Sequence, residues 1–454
     1  MAESPTIVVL GGGGDGYPPS ARLTLVGYRF SPQSHRTREF LVRNCVPFEW
    51  LDVERDERAR HLLADRGVSS SRLPLVRFPD GTVLVQPTDA EIAEKIGLQV
   101  RPRGAFYDLL IVGGGPAGLA AAVYGASEGL STVMVERNAP GGQAGLSPLI
   151  ENYLGFPEGL TGADLARRAV AQARKFGVQI VAPLAVTGVR LEGDARVATF
   201  ADRSELGSQA VLLSMGVEWR RLDVPGIERL TGAGVYYGGT IADAVLCRNE
   251  DVFIVGGANS AGQAAMYFSR YARTVTMLVR SDSLSKSMSH YLVEQIQSTD
   301  NIHVRLNTTV VGVHGQDRLE AITVADAAGV KETIPATALF IFIGAMPHTE
   351  YLDGVVERDR QGFIITGPDL APRPPAWSLD RRPFPVETSV PGIFAAGDVR
   401  HGSVKRVAAG VGEGATAVRS IHMHLESSAS KRPSSSMETG AARTELDSSR
   451  ALPA

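Results

Sequence analysis

Short apolar runs separated by amphipathic stretches fill most of this 454-residue chain. In the first hundred residues the pattern predicts a strand at 23–26, a helix at 36–43, a strand at 48–53 and a helix at 54–66. Two short strands at 73–76 and 82–84 then close as a hairpin, followed by a helix at 90–96. The runs at 109–112, 132–135, 252–255, 275–279 and 339–343 are apolar but for Thr132 and Thr276, as strands buried on both faces of a parallel sheet are. Helices are predicted after the first and third of these runs, at 162–173 behind a Thr161 cap, and at 407–422. This alternation predicts an α/β fold. Three stretches carry no period. They are the Gly- and Pro-rich residues 1–20, read as a leader, the Pro- and Arg-rich 366–385, and the Ser-rich 426–454, read as a disordered tail.

Two of the strand-to-helix turns carry candidate chemistry. The first is Gly113-x-Gly115-x-x-Gly118, with Pro116 and Ala117 inside it. Gly113 permits the tight turn, Gly115 lets backbone approach a pyrophosphate, and Gly118 lets the helix pack close to the strand. The free N–H groups of the helix start complement phosphate charge. The next strand ends in Glu136, followed by Arg137, and a carboxylate there can accept ribose hydroxyls. The second turn, Gly256-Gly257-Ala258-Asn259-Ser260, lies 143 residues further on and predicts a second dinucleotide site. Ala258 replaces its middle glycine, and Arg280 stands where an acid would, either to meet the 2′-phosphate of NADP or as a plain surface cation. The stretches 141–145, with Gly142 and Gln143, and 150–157, with Asn152, have no helical or strand period and read as loops beside a cofactor, and a later strand ends at Gly216. A last short strand ends in Gly397-Asp398, suited to a polyol hydroxyl. His401, Lys405 and Arg406 follow, ahead of a helix from Val407, as weak catalytic or phosphate-contacting candidates.

Composition narrows the partners. Net charge is −3, which makes no case for nucleic acid or an anionic membrane surface. No apolar run reaches membrane-spanning length, and no basic segment precedes the first short apolar run, so neither an anchor nor a signal peptide is predicted. Cys45 and Cys247 are the two cysteines, which fits a reducing cytoplasm and excludes a disulfide framework. No cluster with metal-ligand spacing is predicted.

Residues 108–118, Gly141-Gly142-Gln143, Glu151-Asn152-Tyr153, Gly155-Phe156-Pro157 and 392–398 together resemble the thioredoxin reductase branch of the FAD-dependent pyridine-nucleotide–disulfide oxidoreductases. The resemblance implies two Rossmann-like domains: a discontinuous FAD domain at 105–222 and 345–425, and an NAD(P)H domain inserted at 223–344. It implies that 113–118 hold the FAD pyrophosphate and Glu136 the ribose, with Gln143 and Asn152 near the isoalloxazine and Asp398 on the ribityl chain. A cytoplasmic homodimer is typical of that branch. Thioredoxin reductases carry Tyr-Cys-Ala-Thr-Cys where this chain reads Tyr237-Gly238-Gly239-Thr240-Ile241, so both redox cysteines are gone. Residues 21–104 resemble a glutaredoxin- or thioredoxin-like module, with Pro74 where that family carries its cis-proline. Ser31-Pro32-Gln33-Ser34 replaces its Cys-x-x-Cys, and a hydroxyl cannot do thiolate exchange.

The expectation is therefore an FAD-dependent oxidoreductase taking hydride from NADPH or NADH and serving a small-molecule or redox-protein acceptor. A ferredoxin–NADP reductase-like enzyme, a direct-substrate flavin oxidase and a flavin-binding sensor remain open at this point.

Overall fold

The computed structural model describes residues 22–147, 149–239, 241–371, 374 and 377–429. The expected leader at 1–20 and most of the expected tail lie outside them. The N-terminal unit is a four-stranded sheet in the order Phe48–Asp52, Leu23–Gly27, Leu75–Arg77, Val83–Val85. Its first two strands are parallel and the others antiparallel. Helices Pro32–Arg43, Glu57–Asp65 and Asp89–Lys95 complete it around Leu25, Phe48, Trp50, Val76 and Ile92. The Leu73–Pro74 peptide is cis. The first helix starts four residues earlier than its apolar pattern predicts. Ser31 accepts from the Ser34 N–H and Pro32 takes the first helical position, where no N–H is needed.

The second unit centres on the buried strand Phe106–Val112. The parallel neighbours of that strand are Thr132–Val135, with Gln179–Val181 beyond, and Glu205–Leu213. The far edge of Glu205–Leu213 pairs antiparallel with Ala195–Phe200 at one end and parallel with Ile393–Ala395 at the other. The strand Ile393–Ala395 thus completes a sheet begun near residue 106, and a second unit is inserted between Glu205–Leu213 and that strand. The inserted unit is a five-stranded, all-parallel sheet in the order Val235–Tyr237, Ala338–Ile341, Asp251–Val255, Thr274–Leu278, Ile302–Arg305. A three-stranded antiparallel layer, Thr309–His314 to Lys331–Pro335, flanks it. Both crossings between the units run side by side, since Glu218–Trp219 pairs antiparallel with Ala345–Met346.

The last helix, Val407–Ala429, lies across helix Pro116–Ser127 so closely that a Cβ on Gly414 would collide with the Ala117 carbonyl. This helix corrects the tail boundary at Glu426. Leu425 packs on the core, the hydroxyls of Ser427 and Ser428 bond back to the His424 carbonyl, and the helix runs through Ala429.

Candidate dinucleotide cleft

Each glycine-rich turn follows a buried strand and opens a helix. Gly113 has φ +101° and an added Cβ would stand 2.5 Å from the Ser214 carbonyl, so only glycine suits the turn. A Cβ on Gly118 would collide with the Gly113 carbonyl, which is the close helix–strand approach expected of that position. Gly115 caps helix Pro116–Ser127 in extended backbone, and nothing stands within 4 Å of where its Cβ would be. The turn is held from two sides. Ser214, buried, donates to the carbonyls of Val112 and Gly113 at 3.0 and 2.9 Å. Glu136 accepts from Gly114 N at 2.7 Å and from Asn138 N at 2.9 Å, which fixes its carboxylate at the strand end.

The second turn repeats this plan. Gly256 has φ +143° with the Phe342 carbonyl 2.5 Å from an added Cβ. Ala258 caps helix Asn259–Phe268 in ordinary extended backbone, φ −101° and ψ 178°, and is exposed, so its methyl adds no backbone strain. Asn259 donates to the Ser289 hydroxyl and accepts from the Ser289 N–H at 2.9 and 2.7 Å, while Ser287 donates to the Gly257 carbonyl. These bonds tie the following loop over the turn.

The two units face each other across a cleft of about 420 Å³. From the first unit it is lined by Gly115, Pro116, Ala117, Glu136, Arg137, Gly142, Gln143 and Gly216, with Gly397, Asp398, Lys405, Arg406 and Val407 from the end of the chain. Gln143 donates to the Val217 carbonyl at 2.6 Å, and Arg137 pairs with Glu218 at the mouth. Burial raises the Asp398 carboxyl above its usual range, with the Lys405 ammonium opposing. Gly113 and Gly118 lie behind the lining as the frame of the turn, and Ser260 reaches the cleft from the second unit.

Other candidates stand apart from it. Asn152 is exposed and outside the lining. The single bridge between Ile150 and Leu160 holds the base of its loop and projects 151–159 outward, leaving Leu154 94% exposed. His401 is also outside, with Nδ1 2.7 Å from Asp359 Oδ2 on the outer surface. Gly256, Gly257 and Asn259 frame the second turn without lining the cleft, and Arg280 is exposed at the end of its strand.

The sequence motifs do not announce the cleft's aromatic wall. Trp219 stands edge-on to Phe342 with centroids 5.7 Å apart, and Tyr237, Tyr267 and Phe268 join them. Arg43 enters from the N-terminal unit. Neither cysteine lines this cleft. Cys247 is buried, and burial pushes its thiol up to about 12. Cys45, also raised by burial, lines a separate cleft of about 550 Å³ between the N-terminal and first dinucleotide units. Among the described residues no cluster of His, Cys, Asp and Glu could hold a metal, and no helix is long and apolar enough to cross a membrane.

Residues 107–414 match the model of the family described as pyridine nucleotide-disulphide oxidoreductase. The chain is 32% identical over 326 residues to a thioredoxin reductase of Bacillus subtilis, covering 70% of this chain and 95% of that protein. Its fold is similar to that of thioredoxin reductase crystal structures from Lactococcus lactis, in the FR conformation, and T. acidophilum. Each superimposes with TM-score 0.63 at 28% identity, over 71% of this chain and 99% of the other. Two glycine-rich strand-to-helix turns, one on each of two sheets, with this match across both, establish that the chain belongs to the pyridine nucleotide-disulphide oxidoreductase family.

Proposed function

We propose that this chain is an FAD-dependent oxidoreductase that takes hydride from NADPH or NADH and passes the electrons to an acceptor without an internal dithiol. The observation that carries the reading is a cleft reached by both glycine turns whose lining contains no thiol. The residues fit a flavin dinucleotide. The open Gly115 position and the helix start behind it would hold the pyrophosphate, Glu136 the adenosine ribose, and Asp398 the ribityl hydroxyls. A bound flavin supplies the hydride-accepting and electron-donating chemistry. Around it, Trp219, Phe268 and Phe342 exclude water, and Lys405 and Arg406 set a positive edge. The second turn, with Ser260 at the cleft, would hold the nicotinamide dinucleotide, and the exposed Arg280 suits a 2′-phosphate.

The stretch Tyr237-Gly238-Gly239 supports the missing dithiol directly. Gly238 lies against the Trp219 indole, and Gly239 against Phe268 and Phe340, so small residues are packed here among rings. Steady-state oxidation of NADPH or NADH tests the proposal, with ferricyanide and a water-soluble quinone compared against oxidised thioredoxin and a small aromatic disulfide. Turnover with the first pair and none with the second is expected. Disulfide reduction as fast as quinone reduction would contradict it.

A further inference from the structure

Strand Val235–Tyr237 turns successive side chains to opposite sides. Tyr237 lines the cofactor cleft, whereas Tyr236 packs on His35 of the N-terminal unit, with ring centroids 4.8 Å apart. The same contact is closed by ions. Arg29, 4% exposed, makes a bidentate pair with Glu250 at 2.6 and 2.7 Å, and Arg38 reaches Asp243 at 3.1 Å with both side chains nearly dry. Pro32 lies against Gly232, where an added Cβ would come within 2.9 Å of the Pro32 Cα, and Val245 and Leu246 pack against the N-terminal unit's core.

These contacts come from two places of parallel meaning. On one side are the loop and helix start around 31–34, where a thioredoxin-like module carries its cysteines. On the other are the elements flanking 237–241, where a reductase carries its own. Two cations on the first surface meet two anions on the second. The nearly dry Arg29, Arg38 and Asp243 persist as charges only while paired, since separation leaves a desolvated charge without its partner. A bidentate guanidinium–carboxylate pair also fixes orientation.

We propose that the N-terminal unit is the resident occupant of the face through which a dithiol at 237–241 would meet a protein disulfide. That face is closed to other proteins, and electrons leave through the cleft to a small-molecule acceptor. The inference deepens the function proposed above and rests on it for the direction of electron flow. The docking itself stands on the contacts alone.

Cys247 reports on the dock. It is 3% exposed, and the Arg29 cation counters the rise that burial gives its thiol. The experiment uses the full-length holoprotein carrying Cys45→Ala, so that Cys247 is the single thiol, and follows its modification by N-ethylmaleimide. Arg29→Glu, which sets two carboxylates against each other, is expected to speed modification at least tenfold. The exchange Arg29→Glu/Glu250→Arg is expected to return the rate to within twofold of the parent. If Arg29→Glu does not fold, Arg29→Gln makes the same comparison, with circular dichroism and flavin retention as fold controls. Excess oxidised thioredoxin is expected to leave the parent rate unchanged.

An unchanged rate in the Arg29 variant, or no recovery in the exchange, would overturn the dock. Acceleration by thioredoxin would show the face opening to a protein and overturn the closure. Labelling requires no turnover, so failure of the proposed flavin chemistry leaves this result readable. Fast labelling in a protein that still oxidises nicotinamide would overturn the dock alone.

Discussion

His424 shows how a single residue makes this fold pH-sensitive far from the cleft. Its side chain is 4% exposed, beside the fully buried Glu387, with Arg381 3.4 Å away and the Phe394 ring edge-on. Burial, then the Arg196 and Arg381 cations, pull its pKa from 6.5 to about 4. The folded protein holds it neutral, while the unfolded chain takes up a proton near pH 6.5. Below that pH the unfolded state binds more protons, so stability is lost as pH falls from about 6.5 to about 4 and is fully present above. The displacement corresponds to at most about 3 kcal/mol. His424→Gln should flatten this part of the stability curve. Urea melts of the two proteins at pH 7 and pH 4.5 check it, and parallel curves would reject the assignment. Nothing in the sequence marks this histidine. Its environment is assembled from residues 196, 381, 387 and 394, which are remote from it along the chain.

Elements were legible where their causes are local. The phosphate turns could be read because strand, glycines, helix start and terminal acid occupy one short stretch whose backbone geometry demands those residue types. The strands at 109–112 and 132–135 were legible because burial on both faces requires unbroken apolar runs. The start of the helix at Pro32 was not legible, because apolar periodicity is weak in a first turn, where capping chemistry decides. The cleft's aromatic wall was not legible, since Trp219, Phe268 and Phe342 meet only after two sheets are assembled. At this scale the crossing of the last helix over Pro116–Ser127 is the most demanding contact. Gly414→Ala inserts a methyl against the Ala117 carbonyl and should cost about 1–3 kcal/mol, the usual range for overpacking. It should also loosen flavin retention, because Ala117 lines the cleft. Thermal melts and the flavin content of the purified variant check this. A variant as stable and as yellow as the parent would show that the helices slide apart without consequence.

At the scale of the whole molecule, the chain joins two nucleotide units by paired crossings and adds a third unit that touches both. Gln99 accepts from Ala182 N in the first dinucleotide unit, while Arg29 holds Glu250 in the second. The N-terminal unit therefore spans the cleft's two walls from outside. That arrangement could not be read from sequence, because the two halves of each ion pair lie about as far apart as Arg29 and Glu250 do, 221 residues. What was legible was the identity of the residues at 31–34 and 237–241. The structure adds that the elements around those positions face one another.

In the proposed reading, both turns serve one redox centre despite Ala258. Anaerobic stopped-flow mixing of the purified flavoprotein with NADPH, and separately with NADH, tests it by following loss of the flavin's visible absorbance. Bleaching by at least one nicotinamide is expected, saturating with concentration, with the absorbance restored on adding a quinone. No bleaching by either, in protein that retains FAD, would contradict it.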